Sequence, residues 1–211
     1  MASTAGPTPY WLSGGPVTDR APLLDLLDIY EARNPEEAQR IGRIRELVLN
    51  SSDCFQRSCL PGHVTASAWI VSSDRRRFLL THHRKLDRWL QLGGHADGET
   101  DVFAVALREA QEESGMASFE WIGGLQDGVV PVPIDVDVHR IPARDGEPAH
   151  EHHDVRFLLG ARSGQVLAIS DESNALEWFA WDRLESDFDE PSLLRLGRKA
   201  RALLAAVVAA G

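Results

Sequence analysis

The chain has 211 residues, 43% of them hydrophobic, and is long enough to bury a sizeable core in one domain with extensions. Its formal net charge of −10 argues against a protein that coats extended nucleic acid, because such proteins carry a basic face. The two cysteines, Cys54 and Cys59, are too few for a disulfide framework, and we expect free thiols in a reducing compartment. The N-terminus has neither a basic region nor an apolar run, so the sequence predicts a cytoplasmic protein without a membrane span.

The N-terminal part of the chain divides into two segments. Residues 1–17 are rich in Pro, Gly, Ser and Thr and predict a flexible tail. Residues 18–59 follow a helical pattern and predict an N-terminal helical extension. Within it, Asn34 is expected to cap a second helix that begins at Pro35, with Glu37 completing a capping-box-like pair. The extension is compatible with covering a sheet, forming the surface of a homodimer or contributing to specificity.

Residues 60–185 contain several strand patterns and one helix pattern, and they predict the central domain of the chain. The strand patterns are HVTASAWIVSS, RRRFLLTHHR, SFEWIGGL, VPVPIDVDVHRIP, EPAHEHHDVRFLLGAR and EWFAWDRL. Residues 186–211 belong to the same domain and predict a C-terminal helix. Its Leu193, Leu196 and Ala200 fall on one side at helical spacing.

The segment from Gly93 to Met116 combines a glycine pair with a helix that carries three carboxylates on one side. At helical spacing, Glu109, Glu112 and Glu113 form an i, i+3, i+4 set whose negative charges repel one another. A hard divalent cation with oxygen ligands, Mg²⁺ or Mn²⁺, compensates for this crowding and also holds substrate phosphates. A solvated acidic face is the alternative interpretation of the same triplet.

This segment resembles the box of the Nudix hydrolase family, which reads G-x5-E-x7-R-E-U-x-E-E-x-G-U, where U is a bulky apolar residue. Six positions match in register; they are Arg108, Glu109, Glu112, Glu113, Gly115 and Met116. The first half departs from the family pattern, because Thr100 occupies the position of the family glutamate and Glu99 falls one residue early. We therefore expect Thr100 to cap the helix, and Glu99 either to reach Arg108 from the loop or to point at solvent.

The resemblance implies an α/β fold, a Nudix-type α/β/α sandwich with a mixed sheet, to which the N-terminal extension and the C-terminal helix are added. It implies that Mg²⁺ or Mn²⁺ is held by Glu109, Glu112, Glu113 and the carbonyl of Gly93. Arg108 is expected to orient a carboxylate. Family members take the general base either from the box, here Glu112 or Glu113, or from a loop outside it, where Glu151 and Asp154 are the candidates.

His150, His152 and Asp154 alternate, so that their side chains lie on one side of an extended strand. This arrangement is compatible with a zinc site, but nothing else in the sequence indicates zinc catalysis. A polar strand edge lining the substrate cleft is the favoured interpretation. The densest basic stretch leads into the glycine pair and predicts contacts with phosphates. The predicted substrate-binding residues are Arg84, Lys85, Arg88, His95 and His152.

Together these patterns predict a metal-dependent hydrolase that cleaves the pyrophosphate linkage of a nucleoside diphosphate joined to another moiety. The alternative is a Nudix-like domain that binds a nucleotide without cutting it, as a sensor or regulator. By resemblance, binding-only members lose one or more box glutamates, and the presence of all three here favours the enzyme. Pro131 and Pro133 lie where members acting on ADP-ribose carry a proline, while other small nucleotide derivatives stay open as substrates.

Overall fold

A computed structural model describes residues 19–123, 130–144, 146–170 and 173–210 of the chain. The predicted flexible tail, residues 1–17, lies outside the described residues. The helices are α1 (Ala21–Arg33), α2 (Ala38–Asn50), α3 (Val102–Ser114), α4 (Arg183–Asp187) and α5 (Pro191–Ala210). The strands are β1 (Gly62–Val71), β2 (Arg77–His83), β3 (Arg88–Leu90), β4 (Leu92–His95), β5 (Phe119–Trp121), β6 (Asp135–Ile141), β7 (His150–Ala161) and β8 (Ser173–Ala180). No helix in the described part of the chain is long and apolar enough to cross a membrane.

The described strands form one mixed sheet around β1, which is buried along its whole length. β1 pairs in parallel with β7 and antiparallel with β2 and β4. Because side chains alternate along a strand, Val64 and Ala66 pack against α1, α2 and α3, whereas Trp69 packs against α5. We call these two sides the α3 face and the α5 face, and His63 and Ser67 lie on the α5 face. The fold is the predicted α/β/α sandwich.

The N-terminal extension covers the α3 face of the sheet. Leu23 and Leu27 of α1, with Ile41 and Ile44 of α2, belong to the same buried cluster as Val64 of β1. Burial of such side chains contributes on the order of 2 kcal/mol each to folding. The N-terminal extension therefore covers the sheet, which is one of the three roles that the sequence allowed.

The start of the second helix differs from the prediction. Pro35–Glu37 forms a 3₁₀ turn and α2 begins at Ala38. The Asn34 side chain donates to the carbonyl of Tyr30 at 2.9 Å, so it satisfies the end of α1 instead of capping α2. Glu37 accepts from the Tyr30 hydroxyl at 2.8 Å and is unavailable for a capping box. As predicted, both cysteines are free thiols, and both are buried.

A buried ionic network lies on the α5 face between β6, β7 and α5. Its centre is Arg156, whose side chain is 3% exposed. Arg156 donates to Asp154 at 2.8 Å and to Asp137 at 3.1 Å. It also donates to Asp135 at 3.2 Å, and Arg195 of α5 donates to the same carboxylate at 3.0 Å. The network fastens the C-terminal helix to the sheet through charge-assisted hydrogen bonds.

The Asp137 carboxylate of this network is ionised at neutral pH. Burial alone would raise the pKa of Asp137, but a hydrogen bond with His139 and the charges of Arg156 and Arg195 outweigh burial. The pKa of Asp137 therefore lies below its ordinary value. A carboxylate of this kind stabilises the folded state above its unfolded pKa, and the contribution is lost as the pH falls into the acid range.

Replacing Arg156 by Met should destabilise the protein by about 3–5 kcal/mol, because the buried carboxylates lose the cation that compensates for their desolvation. The free energy of unfolding is measured by urea denaturation. Arg198→Met is the matched control, since Arg198 pairs with Glu185 on the surface of the protein and should leave the unfolding midpoint close to that of the wild type. Equal effects of the two substitutions would contradict a stabilising role for the network.

Candidate metal and substrate site

The helix α3 begins at Val102 and is capped by Asp101. The Asp101 carboxylate accepts hydrogen bonds from the backbone amides of Phe103 and Ala104, both at 3.0 Å. The prediction that Thr100 is the N-cap is therefore wrong by one residue. A single carboxylate oxygen satisfies two amides here, and its negative charge interacts favourably with the positive end of the helix. A threonine hydroxyl provides no such charge.

Glu99 closes the loop before α3 and does not reach Arg108. One of its carboxylate oxygens accepts from the two backbone amides that follow it, at 2.8 and 3.1 Å. Arg108 donates instead to the carbonyl of His95 at 2.9 Å and to Glu109 at 2.7 Å. The arginine thus links the glycine loop to the helix and holds the Glu109 carboxylate in place.

Gly93 and Gly94 each face a different neighbour at close range. A Cβ atom on Gly93 would lie 2.6 Å from the Cα atom of Ser67 on β1. A Cβ atom on Gly94 would lie 2.5 Å from a carboxylate oxygen of Glu109. The amide of Gly93 also donates to Glu113 at 2.9 Å. A side chain at position 93 would therefore meet the backbone of β1, and a side chain at position 94 would displace the Glu109 carboxylate.

The donor set at this loop fits a hard divalent cation. The side chain of Glu113 is buried against the loop, Glu109 is partly buried and Glu112 is exposed. In the described structure, the carboxylate oxygens of the three glutamates are not all within 4.8 Å of one another. An open arrangement of this kind suits Mg²⁺, which is held by one or two carboxylates and keeps waters and substrate phosphates as further ligands.

Glu151 lies apart from the helix glutamates. It pairs with Arg43 of α2 at 2.7 Å and with His153 at 3.5 Å. In the sheet, Glu151 is opposite Gly62, whereas Gly94 is opposite Ala66. Four residues of strand separate the two positions, or about 13 Å. The structure therefore does not bring Glu151 together with the box carboxylates.

The predicted basic residues Arg84, Lys85 and Arg88 are exposed at the turn between β2 and β3. Arg84 donates to the carbonyl of Ser173 at 3.4 Å. Arg88 lies on β3, which pairs with β2, whereas Gly93 lies on β4, which pairs with β1. The basic turn therefore belongs to a different strand pair from the glycine pair.

The structure brings the predicted residues His95 and His152 together on the α5 face, with ring centroids 5.0 Å apart. Further histidines lie beside them at the end of the sheet where β1 and β7 begin. We call the group of His63, His95, His139, His150 and His152 the histidine cluster. The ring of His63 lies 5.1 Å from that of His95 and 4.9 Å from that of His152.

Asp154, which alternates with His150 and His152 in the sequence, has other partners. It accepts from Ser67 and from Arg156, both at 2.8 Å, and it belongs to the ionic network. His63 was not predicted as a site residue. It is adjacent to His152 because β1 and β7 pair in parallel, and a local sequence pattern does not reveal which strands pair.

Gly94→Ala should weaken Mn²⁺ binding by about tenfold or more, because the new methyl group displaces the Glu109 carboxylate. Gly93→Ala should mainly lower the melting temperature, since its methyl group meets the backbone of β1. Calorimetric titration and thermal melts measure the two effects. The matched control is Gly42→Ala in α2, where no atom beyond the local helix backbone and the chain neighbours lies within 4 Å of the added Cβ. Binding of Mn²⁺ by Gly94→Ala with the affinity of the wild type would contradict the close contact between Gly94 and the Glu109 carboxylate.

Asp101→Ala should cost about 1 kcal/mol of stability, because two amides of the first turn of α3 lose their acceptor. Thr100→Ala should have a much smaller effect, since its side chain does not cap the helix. Urea denaturation of both variants separates the two residues. A larger loss from Thr100→Ala than from Asp101→Ala would reverse this assignment of the cap.

Comparison with known proteins agrees with the fold and with the box. The family model described as NUDIX domain matches residues 61–198, more than half of the chain. A solved hydrolase of the NUDIX family from Clostridium perfringens is 23% identical with a TM-score of 0.54, covering 67% of this chain and 97% of that one. A C. elegans Ap4A hydrolase binary complex is 19% identical with a TM-score of 0.52, covering 68% and 98%. No curated protein gives a significant match. The family match over the sheet and the box helix identifies this chain as a member of the Nudix hydrolase family.

Proposed function

We propose that this protein is a Mg²⁺- or Mn²⁺-dependent hydrolase that cleaves the pyrophosphate linkage of a nucleoside diphosphate joined to another moiety. The observation that carries the proposal is the placement of Glu109 and Glu113 against the glycine pair. Gly94 leaves space for the Glu109 carboxylate, and the amide of Gly93 holds Glu113. A solvated acidic face would need neither a glycine opposite Glu109 nor a backbone amide that donates to Glu113.

The bound cation would neutralise the substrate oxygens, acidify a water and align the attack. Glu109, Glu112 and Glu113, with the carbonyl of Gly93, would hold it. In the reaction, the water oxygen forms a bond to one phosphorus atom while the bond from that phosphorus to the bridging oxygen breaks. A carboxylate of the box accepts the proton of the water, and the second phosphate leaves with the bridging oxygen.

Arg108 would act as a positioning residue. Its guanidinium group donates to Glu109 and to the carbonyl of His95, so both of these partners belong to the protein. Its cation also offsets the repulsion among the neighbouring carboxylates. Arg84, Lys85 and Arg88 are exposed cations at the turn between β2 and β3, and we assign them to the distal phosphate or sugar of the substrate.

The substrate class needs a direct test. The structural relative from C. elegans is an Ap4A hydrolase by its title, but a likeness at 19% identity concerns the fold alone. We propose a small nucleotide derivative, either ADP-ribose-like or a dinucleoside polyphosphate. The full chain should be assayed with ADP-ribose, nucleotide sugars, dinucleoside polyphosphates and modified nucleotides, each with Mg²⁺ or Mn²⁺. A sensor without catalysis is the alternative, and binding of one of these compounds without turnover would support it.

Glu113→Gln should lower turnover by about a hundredfold or more, because the loop loses a negative ligand while the fold is kept. Chelation should abolish activity, and Mg²⁺ or Mn²⁺ should restore it. Glu46→Gln, a neutralised glutamate on the exposed surface of α2, is the control and should stay active. Near-normal activity of Glu113→Gln in saturating Mg²⁺ would contradict the assigned metal face.

The same assay decides the general base. We expect Glu151→Gln to retain most of the turnover, because Glu151 pairs with Arg43 about 13 Å along the sheet from the glycine pair. Glu112→Gln should lose turnover on the scale of Glu113→Gln. If Glu151→Gln were as inactive as the box variants, the base would lie outside the box.

A further inference from the structure

We propose that His63, His95 and His152 bind a borderline divalent transition-metal ion, represented by Zn²⁺, at a second site on the α5 face. Each of the three residues offers a ring nitrogen, and these nitrogens all lie within 4.8 Å of one another. Ligand nitrogens on a tetrahedral zinc ion are about 3.4 Å apart, since each Zn–N bond is about 2.0–2.1 Å long. Small changes in the side-chain torsions therefore close the site around an ion.

The second observation concerns His63 by itself. Its side chain is completely buried, and neither ring nitrogen has a hydrogen-bond partner in the described structure. The carbonyl of Cys59 is close enough to influence the ring, but it does not form a hydrogen bond of normal geometry. A buried polar group without a partner costs about 1–3 kcal/mol, and such groups are rare in folded proteins. A metal ion would satisfy one nitrogen and orient the other towards Cys59.

The protonation state of the cluster favours metal binding. Burial, together with the proximity of His95 and His150, lowers the pKa of His63 to about 4. Burial and the proximity of neighbouring histidines lower the pKa of His152 to about 2. The imidazoles of His63 and His152 are therefore neutral at pH 7, and a neutral imidazole has the lone pair that a metal ion needs.

His150 is placed to support the site. Its Nδ1 atom lies 2.9 Å from the carbonyl of Pro148, and because a carbonyl only accepts, this nitrogen carries the proton. The Nε2 atom of His150 lies 3.3 Å from the Nε2 atom of His152. This separation matches two neighbouring ligands of one tetrahedral ion. Glu147 lies 3.8 Å from the same nitrogen of His150 and supplies compensating negative charge.

The two sites differ in ligand chemistry. Imidazole nitrogens suit zinc, copper, nickel and iron, whereas carboxylate and carbonyl oxygens suit magnesium and manganese. The three histidines come from β1, β7 and β4, so a bound ion would connect three strands. One of these ligands, His95, also accepts a hydrogen bond from Arg108 through its carbonyl. We therefore assign the site a structural role, the bracing of the glycine loop from the α5 face.

The test uses the full chain after chelator treatment and dialysis, titrated with Zn²⁺ alone. We expect saturable binding of about one ion per chain and a rise in melting temperature that Mg²⁺ does not reproduce. With Co²⁺ in place of Zn²⁺, the visible absorption of tetrahedral cobalt should appear. His63→Gln and His152→Gln should each weaken binding by at least about tenfold.

His153→Gln is the matched control, because His153 is buried in the same strand but faces Arg43 and Glu151 on the opposite side of the sheet. It should bind Zn²⁺ as the wild type does. Glu113→Gln should also retain Zn²⁺ binding, and loss of binding in that variant would place the ion at the carboxylates. Absence of saturable binding to the wild type, or full binding by both His63→Gln and His152→Gln, would overturn the proposal. If His63→Gln fails to fold, His152→Gln and the cobalt spectrum decide.

Discussion

The architecture of the site depends on one close approach, that of the glycine pair to β1. With no side chain at Gly93, β4 pairs closely with β1 at Ser67, and this contact fixes the position of β4 in the sheet. The same contact brings Gly94 against Glu109 on the α3 face and directs the ring of His95 to the α5 face. Two groups of side chains with different chemistry are therefore positioned by three consecutive residues of one short strand.

The frame around this loop is held by long-range polar contacts as well as by the apolar core. Arg156 joins three carboxylates from two strands, and the α5 residues Arg195 and Lys199 reach Asp135 in the same network. Pairing of β6 with β7 places His139 opposite His152, and an ion pair between Asp137 and Arg156 supports that register. Such a buried network costs desolvation energy, and its contribution here is to fix which residues of β6 and β7 face each other.

Local patterns in the sequence were enough to predict the box helix and the strands β1, β2 and β5 to β8, but not the short strands β3 and β4. They failed where two neighbouring residues could both cap the helix, as Thr100 and Asp101 could. Here the choice depends on the backbone angles of the loop, and Asp101 has the extended conformation of a cap. Local patterns also failed for contacts between distant segments. Glu151 pairs with Arg43, which is 108 positions away in the sequence. His63 lies beside His152 because β1 and β7 pair in parallel, and a local strand pattern does not show which strands pair.

The position of α2 has a consequence for the solution behaviour of the chain. In the described structure, β6 pairs with β7 and with no other strand, so its second edge carries backbone groups that could pair with another polypeptide. Helix α2 lies against this strand, and Arg40 of that helix reaches Asp137 at 4.0 Å. The N-terminal extension thus shields an edge that would otherwise invite intermolecular strand addition. A shortened chain without residues 18–59 would retain every box glutamate, and its expected defect would be aggregation.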